Sequence, residues 1–272
     1  MFCSEHHDCL GESNVILLGD SGKNRRMRLD QAIAARNPGI SRRKARELIA
    51  SRRVLVNERA VSIASREVDA DDRIAVVDDL PELSIIRESE EWIAVDKPAG
   101  MPTQPTRDRE QRSLEELLRL RFREIWLVHR LDTPTSGVVL FARSAAAVAK
   151  LSTLFANGEI RKTYLAILEG QIAEERVVDT PVQGKSARTT FRPLRNDGNT
   201  TLVEAVIETG RTHQIRIHAK SIGLPVAGDR RYGSGGRAAR LMLHAWRLEH
   251  ESFGVLEAPP PTSFSFATPN PR

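Results

Sequence analysis

The segment HRLDTPTSG, residues 129–137, sets an arginine and a carboxylate two positions apart and then turns through proline and glycine. Side chains two positions apart in an extended segment project to the same side, so Arg130 and Asp132 are predicted to enter one cleft. The apolar run VVLFA, 138–142, is predicted to anchor the turn in a sheet as a strand. A carboxylate held this way is suited to act as a nucleophile or a base. A surface ion pair beside a capped turn is the alternative interpretation.

A second segment, ETGRTHQIRIHAKSIGLPVAGD at 208–229, has apolar and basic residues at helical spacing. Thr212 is predicted to cap a helix that ends at Gly223. A basic stripe at the start of a helix is typical of a phosphate site. Arg216 alternatively lies inward and pairs with a carboxylate, which would keep that acid ionised. A solvated helix face is the third interpretation. The basic residues of this segment are Arg211, His213, Arg216 and Lys220.

The segment RKTYLAILEG, residues 161–170, carries Tyr164, which is one of two tyrosines in the chain. The alternation of a strand places Tyr164 on the same face as Lys162. An aromatic ring in a polar cleft is a platform on which a nucleic-acid base can stack. Core packing with the hydroxyl satisfied is the ordinary alternative for a tyrosine in a strand.

The composition narrows the class of protein. The chain has 272 residues, of which 40% are hydrophobic, enough for one large domain or two unequal ones. It has no apolar run near the roughly 20 residues that a membrane span needs, and its first residues lack the pattern of a secretory signal. The two cysteines do not make a disulfide framework, so a cytoplasmic location is expected. No metal site is predicted, because the tail group Cys3, His6, His7 and Cys9 is cramped and has no second cluster.

The positive charge is concentrated near the start of the chain. Between Arg25 and Arg59 there are eleven basic and three acidic residues, a balance of +8, whereas the whole chain carries +5 and the remainder therefore −3. A basic segment on a mildly acidic body indicates a localised surface for a polyanion. A solvated charged surface is the alternative interpretation.

Residues 25–78 are predicted to form a small unit with two helices followed by strands. Ser41 is a predicted N-cap, and the polar side of the helix after it carries Arg42, Arg43 and Arg46. This unit resembles the RNA-binding domain named for ribosomal protein S-four. The resemblance implies that a face formed by the two helices binds structured RNA through these three arginines. It rests on RLD at 28–30, SRRKARELI at 41–49, VLVN at 54–57 and DDRI at 71–74.

Residues 85–255 are predicted to form a second, larger domain, with a flexible tail at 1–24 and a C-terminal tail at 256–272. Its alternation of short strands with helices predicts an α+β fold with a mixed, mostly antiparallel sheet. Residues 90–250 resemble the RluA-type RNA pseudouridine synthases, in which an S-four-like domain in front of the catalytic domain is common. The resemblance rests on HRLDTPTSG, RKTYLAILEG, GRTHQIRIHAKSIGLPVAGDRRYG and RLMLHA, which occur in the family's order.

The resemblance implies that the protein isomerises specific uridines in structured RNA to pseudouridine and needs no cofactor or metal. It assigns the catalytic aspartate to Asp132, the active-site tyrosine to Tyr164 and the arginine that pairs with the aspartate to Arg216. Arg130 matches an arginine that contacts the RNA and helps to hold the target nucleotide out of its helix. Ribosomal RNA is the expected substrate, with transfer RNA as the alternative, and a monomer is expected. Arg211, His213 and Lys220 are predicted to add RNA contacts.

Two other classes of function compete with this interpretation. A non-catalytic RNA-binding or ribosome assembly factor would retain the fold without using Asp132, Tyr164 and Arg216. A glycosidase would need a second positioned carboxylate, and none of Asp229, Glu204 and Glu208 has motif support for that role.

Overall fold

The protein is described from a computed structural model that covers residues 15–17, 26–51, 53–57, 59–69, 71–77, 82–106, 112–235 and 238–264. The chain divides into two compact units. The first comprises Met1–Glu82 with Leu117–Arg123, and the second comprises Leu83–Glu116 with Glu124–Arg272. The tail group Cys3, His6, His7 and Cys9, for which no metal site is predicted, lies outside the described residues.

The first unit has two helices, α1 and α2, and six short strands. Strands β1, β6, β3 and β4 form an antiparallel sheet in that order, and β2 pairs with β5. Strand β1 falls within the segment 1–24 that was predicted as a flexible tail. Its backbone pairs with β6 from Val15 to Leu17, so these three residues belong to the sheet. The elements are β1 (Val15–Leu17), β2 (Met27–Arg28), α1 (Leu29–Arg36), α2 (Arg42–Ala50), β3 (Val54–Val56), β4 (Arg59–Ala60), β5 (Glu67–Val68) and β6 (Ile74–Val77).

Helix α2 begins where its sequence predicts. The Ser41 hydroxyl accepts a hydrogen bond from the Lys44 backbone N–H at 3.2 Å, which satisfies one of the free donors of the first turn. The apolar side of α2 buries Leu48 and Ile49 in a core that α1 and the strands complete. The arginines of α2 therefore lie on its other side, which is free for contacts outside this core.

The remaining described elements are the strands of one large sheet, three α-helices and a 3₁₀ turn. They are β7 (Ser84–Glu88), β8 (Trp92–Lys97), α3 (Leu114–Arg121), β9 (Trp126–Leu127), β10 (Ser136–Ala142), α4 (Ala145–Asn157), β11 (Arg161–Glu169), β12 (Arg176–Val178), β13 (Thr189–Asn196), β14 (Thr200–Ile207), α5 (Gln214–Ser221), β15 (Leu243–His250), β16 (Gly254–Glu257) and a 3₁₀ turn (Thr262–Phe264).

The large sheet of the second unit is mixed and mostly antiparallel, as predicted. Its strand order is β12-β13-β14-β11-β15-β10-β8-β7, with β16 paired to β15 and β9 paired to β10. The pair β10–β15 is parallel, and the other described pairs are antiparallel. Strand β15 therefore joins two halves of the sheet, one formed by β7, β8 and β10 and the other by β11 to β14.

Strand β10 occupies a fully enclosed place in this sheet, which explains its continuous apolar run. Each of its residues from Ser136 to Ala142 is buried. At Gly137 the backbone of β10 comes so close to β15 that an added Cβ atom would lie 2.1 Å from the carbonyl oxygen of Ala245. The chain after β15 is also part of the fold, because Leu256, Ala258 and Phe264 are buried in the segment predicted as a C-terminal tail.

Candidate active site

A cavity of about 150 Å³ in the second unit brings together the residues predicted to carry the chemistry. Asp132 lies in the loop before β10, Tyr164 lies on β11, and Arg216 lies on α5, so two halves of the sheet contribute to one cavity. Apolar side chains, including Ile207 and Leu243, form part of the wall. The predicted residues that line this cavity are Arg130, Asp132, Tyr164, Arg211, His213 and Arg216.

Asp132 is held from one side and open on the other. Its Oδ2 atom accepts a hydrogen bond from Nη1 of Arg216 at 3.2 Å and lies 3.5 Å from Nε2 of His213. Among the described residues, no hydrogen-bond donor contacts Oδ1. The side chain of Asp132 is 21% exposed, so the free oxygen is accessible to a group that enters the cavity.

Arg216 is fixed by a second carboxylate behind it. Its Nε and Nη2 atoms donate to both oxygens of Asp229 at 2.7 and 2.8 Å, a two-pronged pair that orients the guanidinium plane. The side chain of Asp229 is 0% exposed, and it also accepts the backbone N–H groups of Arg231 and Tyr232. Burial raises the pKa of Asp229, but the hydrogen bonds from Arg216 and the two backbone groups lower it overall. Asp229 is thus an ionised anchor that aims Arg216 at Asp132.

The backbone on either side of Asp132 is clamped by side chains from the segment DKPAGMPT, 96–103. The Thr103 hydroxyl donates to the Leu131 carbonyl at 2.8 Å and accepts the Leu131 N–H at 3.2 Å. The fully buried Lys97 donates its Nζ protons to the carbonyl oxygens of Pro98, Met101 and Thr133. These contacts fix the positions before and after the carboxylate, which is the rigidity that the sequence suggested.

His213 stands at the start of α5 in a left-handed conformation, with φ of 58°, which is uncommon for a residue other than glycine. Its Nδ1 lies 2.9 Å from the hydroxyl of Tyr232, and its ring meets the Tyr232 ring edge to face. A neutral His213 with its proton on Nε2 satisfies both neighbours, since Nδ1 then accepts from Tyr232 and Nε2 faces Asp132. Burial lowers the pKa of His213, which favours this neutral form.

Tyr164 places its ring against the apolar cluster of the second unit and its edge in the cavity. Its backbone pairs with Ala205 on β14 and with Ala245 on β15, so it lies in the interior of the sheet. Burial raises the pKa of the Tyr164 phenol, and the negative charge of Asp132 raises it further. Tyr164 is therefore protonated at neutral pH.

Helix α5 differs from the expectation in two respects. The predicted cap at Thr212 is wrong, because the N-cap position is His213 and the Arg211 N–H is satisfied by the side chain of Gln214 instead. The predicted exposed basic stripe is also wrong, because Arg216 is 7% exposed and points inward, the alternative that the sequence left open. Lys220 is exposed and is not among the residues lining the cavity.

The remaining predicted RNA contacts are on the surface. Arg130 is exposed at the cavity, and so is Arg211, whose Nε donates to the Ser186 carbonyl at 3.1 Å. In the first unit, Arg42 and Arg46 both donate to Asp30, at 3.0 and 2.9 Å.

Asp30 organises the arginines of the first unit. Its side chain is 0% exposed, and it accepts from Nε of Arg28, Arg42 and Arg46. Burial raises the pKa of Asp30, but these hydrogen bonds outweigh it and lower the pKa to about 2. Three guanidinium groups on one carboxylate leave a net positive, pre-oriented cluster. Arg43 stands apart from it, with a side chain that is 91% exposed and paired to Glu47.

Lys97, Thr103 and Asp229 have no part in the site predicted from the sequence. In DKPAGMPT, a lysine between a strand and a Pro-Gly turn is the signal that could have pointed to Lys97. Asp229 ends the segment GLPVAGD that follows α5, and it was considered as a second catalytic carboxylate. Both of its oxygens are engaged by Arg216, so the structure gives it a supporting place instead.

Comparisons with known proteins agree with this fold. The protein-family model described as RNA pseudouridylate synthase matches residues 91–221, and the S4 domain model matches residues 27–74. The ribosomal large subunit pseudouridine synthase D of Nitrosomonas europaea is 31% identical over 82% of this chain and 76% of its own. The protein of the same name from Zymomonas mobilis is 31% identical over 83% of each chain.

A solved structure described as human RNA pseudouridylate synthase domain containing 1 superposes with a TM-score of 0.58 and 27% identity. The similarity covers 69% of this chain and 88% of that one. The chain belongs to the RNA pseudouridine synthase family, whose members are enzymes that isomerise uridine in RNA. With its S4 domain and its similarity to the two proteins named ribosomal large subunit pseudouridine synthase D, it is an RluA-type member of that family.

In the described part of the chain, no helix combines the length and the apolar character required to cross a bilayer. Within the same residues, no group of three or more histidine, cysteine or acidic side chains is arranged to hold a metal ion.

Proposed function

We propose that this synthase acts on specific uridines of ribosomal RNA and that Asp132 is its catalytic carboxylate. The observation that carries the proposal is the state of Asp132: one oxygen is held by Arg216, while the other faces a cavity shared with Tyr164. Relatives named ribosomal large subunit pseudouridine synthase D support ribosomal RNA over transfer RNA as the substrate. A ribosomal RNA substrate in turn supports a cytoplasmic location, and we propose a monomer.

The reaction is an isomerisation. The bond between N1 of the base and C1′ of the sugar breaks, the base turns, and C5 bonds to C1′ while its proton is lost and N1 gains one. The uridine must leave its stack to enter the cavity. The free oxygen of Asp132 then serves either of two routes: it forms a bond to C1′, or it removes the proton from C2′. Both routes need a carboxylate that is ionised and fixed in place.

Arg216 supplies that fixed geometry in the proposed mechanism. Its bidentate pair with Asp229 leaves Nη1 aimed at Oδ2 of Asp132, so the carboxylate does not have to reorganise when the sugar arrives. Charge on Asp132 is stabilised by this contact before the reaction and after product leaves. Asp229 acts through Arg216 and is a positioning residue.

Tyr164 is proposed to contact the base by stacking. A role in removing the C5 proton would require its phenolate, and the raised pKa of this phenol disfavours that form while Asp132 is charged. The exposed Arg130 is proposed to interact with the RNA strand from which the uridine is drawn.

The first unit is proposed to bind structured RNA through Arg42, Arg43 and Arg46. The cluster on Asp30 supports this, because a buried carboxylate pre-orients two of these arginines without neutralising the surface. At the cavity, Arg211 and His213 add positive or polar groups, and Lys220 is proposed to contact RNA outside it.

The proposal is tested by mapping pseudouridine at single-nucleotide resolution, using carbodiimide adducts that stop reverse transcriptase. Ribosomal and transfer RNA are compared from cells that carry the intact protein and cells that carry Asp132→Asn. Asp179→Asn is the matched control, because Asp179 is a surface carboxylate paired to Arg188. We expect one or a few ribosomal sites to vanish with Asp132→Asn alone.

Identical maps for the intact protein and Asp132→Asn would contradict the proposal. Loss of sites in transfer RNA only would retain the catalytic role of Asp132 and replace the substrate. RNA that binds normally to Asp132→Asn without any change in modification would favour the alternative of a binding factor.

A further inference from the structure

The turn after Asp132 contains a buried hydroxyl that no other residue uses. Thr135 is 2% exposed, and its backbone N–H donates to the Asp132 carbonyl at 3.0 Å, which closes the turn. Its Oγ1 is the one buried side-chain nitrogen or oxygen, among the residues that the structure describes, with no hydrogen-bond partner. Buried polar atoms in native proteins are almost always paired, so this exception calls for a reason.

Neighbouring hydroxyls in the same layer of the protein are fully satisfied. The Thr103 hydroxyl bonds the Leu131 backbone twice. The Ser136 hydroxyl lies 2.9 Å from Nδ1 of His244 and accepts from Nη2 of Arg240 at 2.6 Å. The region therefore pairs its hydroxyls well, and Thr135 differs from them by one further property: it lines the cavity that holds Asp132 and Tyr164.

We propose that Thr135 is a substrate-contacting residue whose hydroxyl hydrogen-bonds to the polar edge of the uracil base in the cavity. This inference rests on the proposed function of the site. Thr135 lines the reaction cavity, and its hydroxyl has no partner in the protein to give up when a group enters. The Thr135 hydroxyl is neutral and can both donate and accept a hydrogen bond.

The symmetry of uracil fits a single hydroxyl of this kind. The base carries one carbonyl on each side of N3–H. When it turns about the line from N3 to C6, N1 and C5 exchange places and the two carbonyl oxygens exchange places as well. A hydroxyl that donates to one carbonyl before the turn therefore meets the other carbonyl after it. Thr135 would hold the base in both orientations and would limit its escape while it is detached from the sugar.

The test compares Thr135→Val, which keeps the shape and removes the hydroxyl, with Thr135→Ser, which keeps the hydroxyl. Ribosomal RNA from cells that lack the protein is the substrate, and the single-turnover rate of pseudouridine formation is measured together with the melting temperature. We expect Thr135→Val to slow the reaction by about 10-fold, the scale of one lost hydrogen bond, and Thr135→Ser to stay within about threefold of the intact protein.

The melting temperature separates a substrate contact from a structural one. Thr135→Val removes no bond within the protein, so its melting temperature should equal or exceed that of the intact protein. Thr103→Val is the matched control, because it removes two hydrogen bonds to Leu131 and should melt lower. A fall for Thr135→Val as large as that for Thr103→Val would overturn the proposal, as would an unchanged rate.

Failure of the proposed function would be seen separately, as intact protein that modifies no uridine in this RNA. In that case binding of uridine monophosphate, followed by NMR shifts of the protein, decides the question. Weaker binding to Thr135→Val than to Thr135→Ser and the intact protein would support the contact. Equal binding to all three would overturn it.

Discussion

Arg216 uses three nitrogens on two carboxylates, and this division defines the site at the scale of single residues. Nε and Nη2 hold Asp229 in the protein interior, while Nη1 reaches Asp132 at the cavity. Arginine is suited to this because its donors lie in one rigid plane. A lysine has a point charge on a flexible stem, so it can approach one carboxylate but cannot fix the angle between both.

For this reason Arg216→Lys is expected to retain the positive charge but to lose the fixed arrangement of donors that holds Asp229 and Asp132 together. The catalytic rate constant should fall by about 100-fold, the scale of a displaced reacting group, with a small change in KM. Single-turnover kinetics on ribosomal RNA gives the rate, and circular dichroism verifies the fold. Arg192→Lys is the control, because Arg192 pairs with Glu175 and Glu204 and does not line the cavity. A rate within twofold of the intact protein would show that the fork of Arg216 is dispensable.

The elements show why some features were predictable and others were not. The segments KTYLAILEG at 162–170 and TLVEAVIET at 201–209 predict strands whose ends lie within two residues of those of β11 and β14, because each is a long run rich in apolar residues. The cap of α2 was predicted because its chemistry is local. The position of β15 between β10 and β11 could not be predicted in this way. Pairing between strands that are far apart in the sequence does not affect the periodicity of either strand.

The site follows the same division between local and distant contacts. Asp132, Tyr164 and Arg216 were predicted through motifs that lie within single segments. Lys97 was missed because its Nζ bonds the Thr133 carbonyl 36 positions away, a contact that no spacing rule encodes. The inward direction of Arg216 was one of three open interpretations, and the buried Asp229 decides it.

At the β10–β15 contact, Gly137→Ala is expected to be severely destabilising. The new Cβ atom would collide with the Ala245 carbonyl, and the backbone has φ of 117°, which side chains rarely adopt. We expect a loss of at least about 3 kcal/mol in the free energy of unfolding, as for other backbone collisions in a core. Urea denaturation measures it.

Gly198→Ala is the matched control for this prediction. Gly198 also has a positive φ, of 96°, but an added Cβ atom there meets no atom within 4 Å. Its cost should be about 1 kcal/mol, because only the backbone strain remains. Equal losses for the two variants would attribute the effect to strain and not to the close approach of β15.

On the scale of the whole molecule, charge is distributed unevenly between the sequence segments that the two units contain. The stretch from Arg25 to Arg59 carries a net charge of +8, whereas the whole chain carries +5. Such a distribution makes RNA binding depend on the release of counterions and therefore on salt. The residues proposed to supply affinity for RNA and the residues proposed to carry out the isomerisation thus lie in different parts of the chain.

Replacing Arg42, Arg43 and Arg46 together with glutamine should weaken RNA binding and reduce its salt dependence. The slope of log K against log salt should become shallower by about 2 to 3, close to one unit for each lost phosphate contact. Filter binding of the full chain to ribosomal RNA at several salt concentrations measures the slope. The control replaces Arg161, Arg188 and Arg192, which pair with carboxylates in the second unit. An unchanged slope in the first variant would place the RNA contacts elsewhere.

The central position of β15 has a consequence for how the enzyme folds while the ribosome synthesises it. Asp132 belongs to the half of the sheet made before residue 143, and Tyr164 belongs to the half made after it. The strand that joins them, Leu243–His250, is translated after both. A nascent chain thus carries Asp132, Tyr164 and Arg216 together for about 30 codons before β15 is complete and they can meet, since domains fold as their last core strand emerges. The growing chain should remain inactive toward the RNA of the ribosome that makes it until β15 has left the exit tunnel.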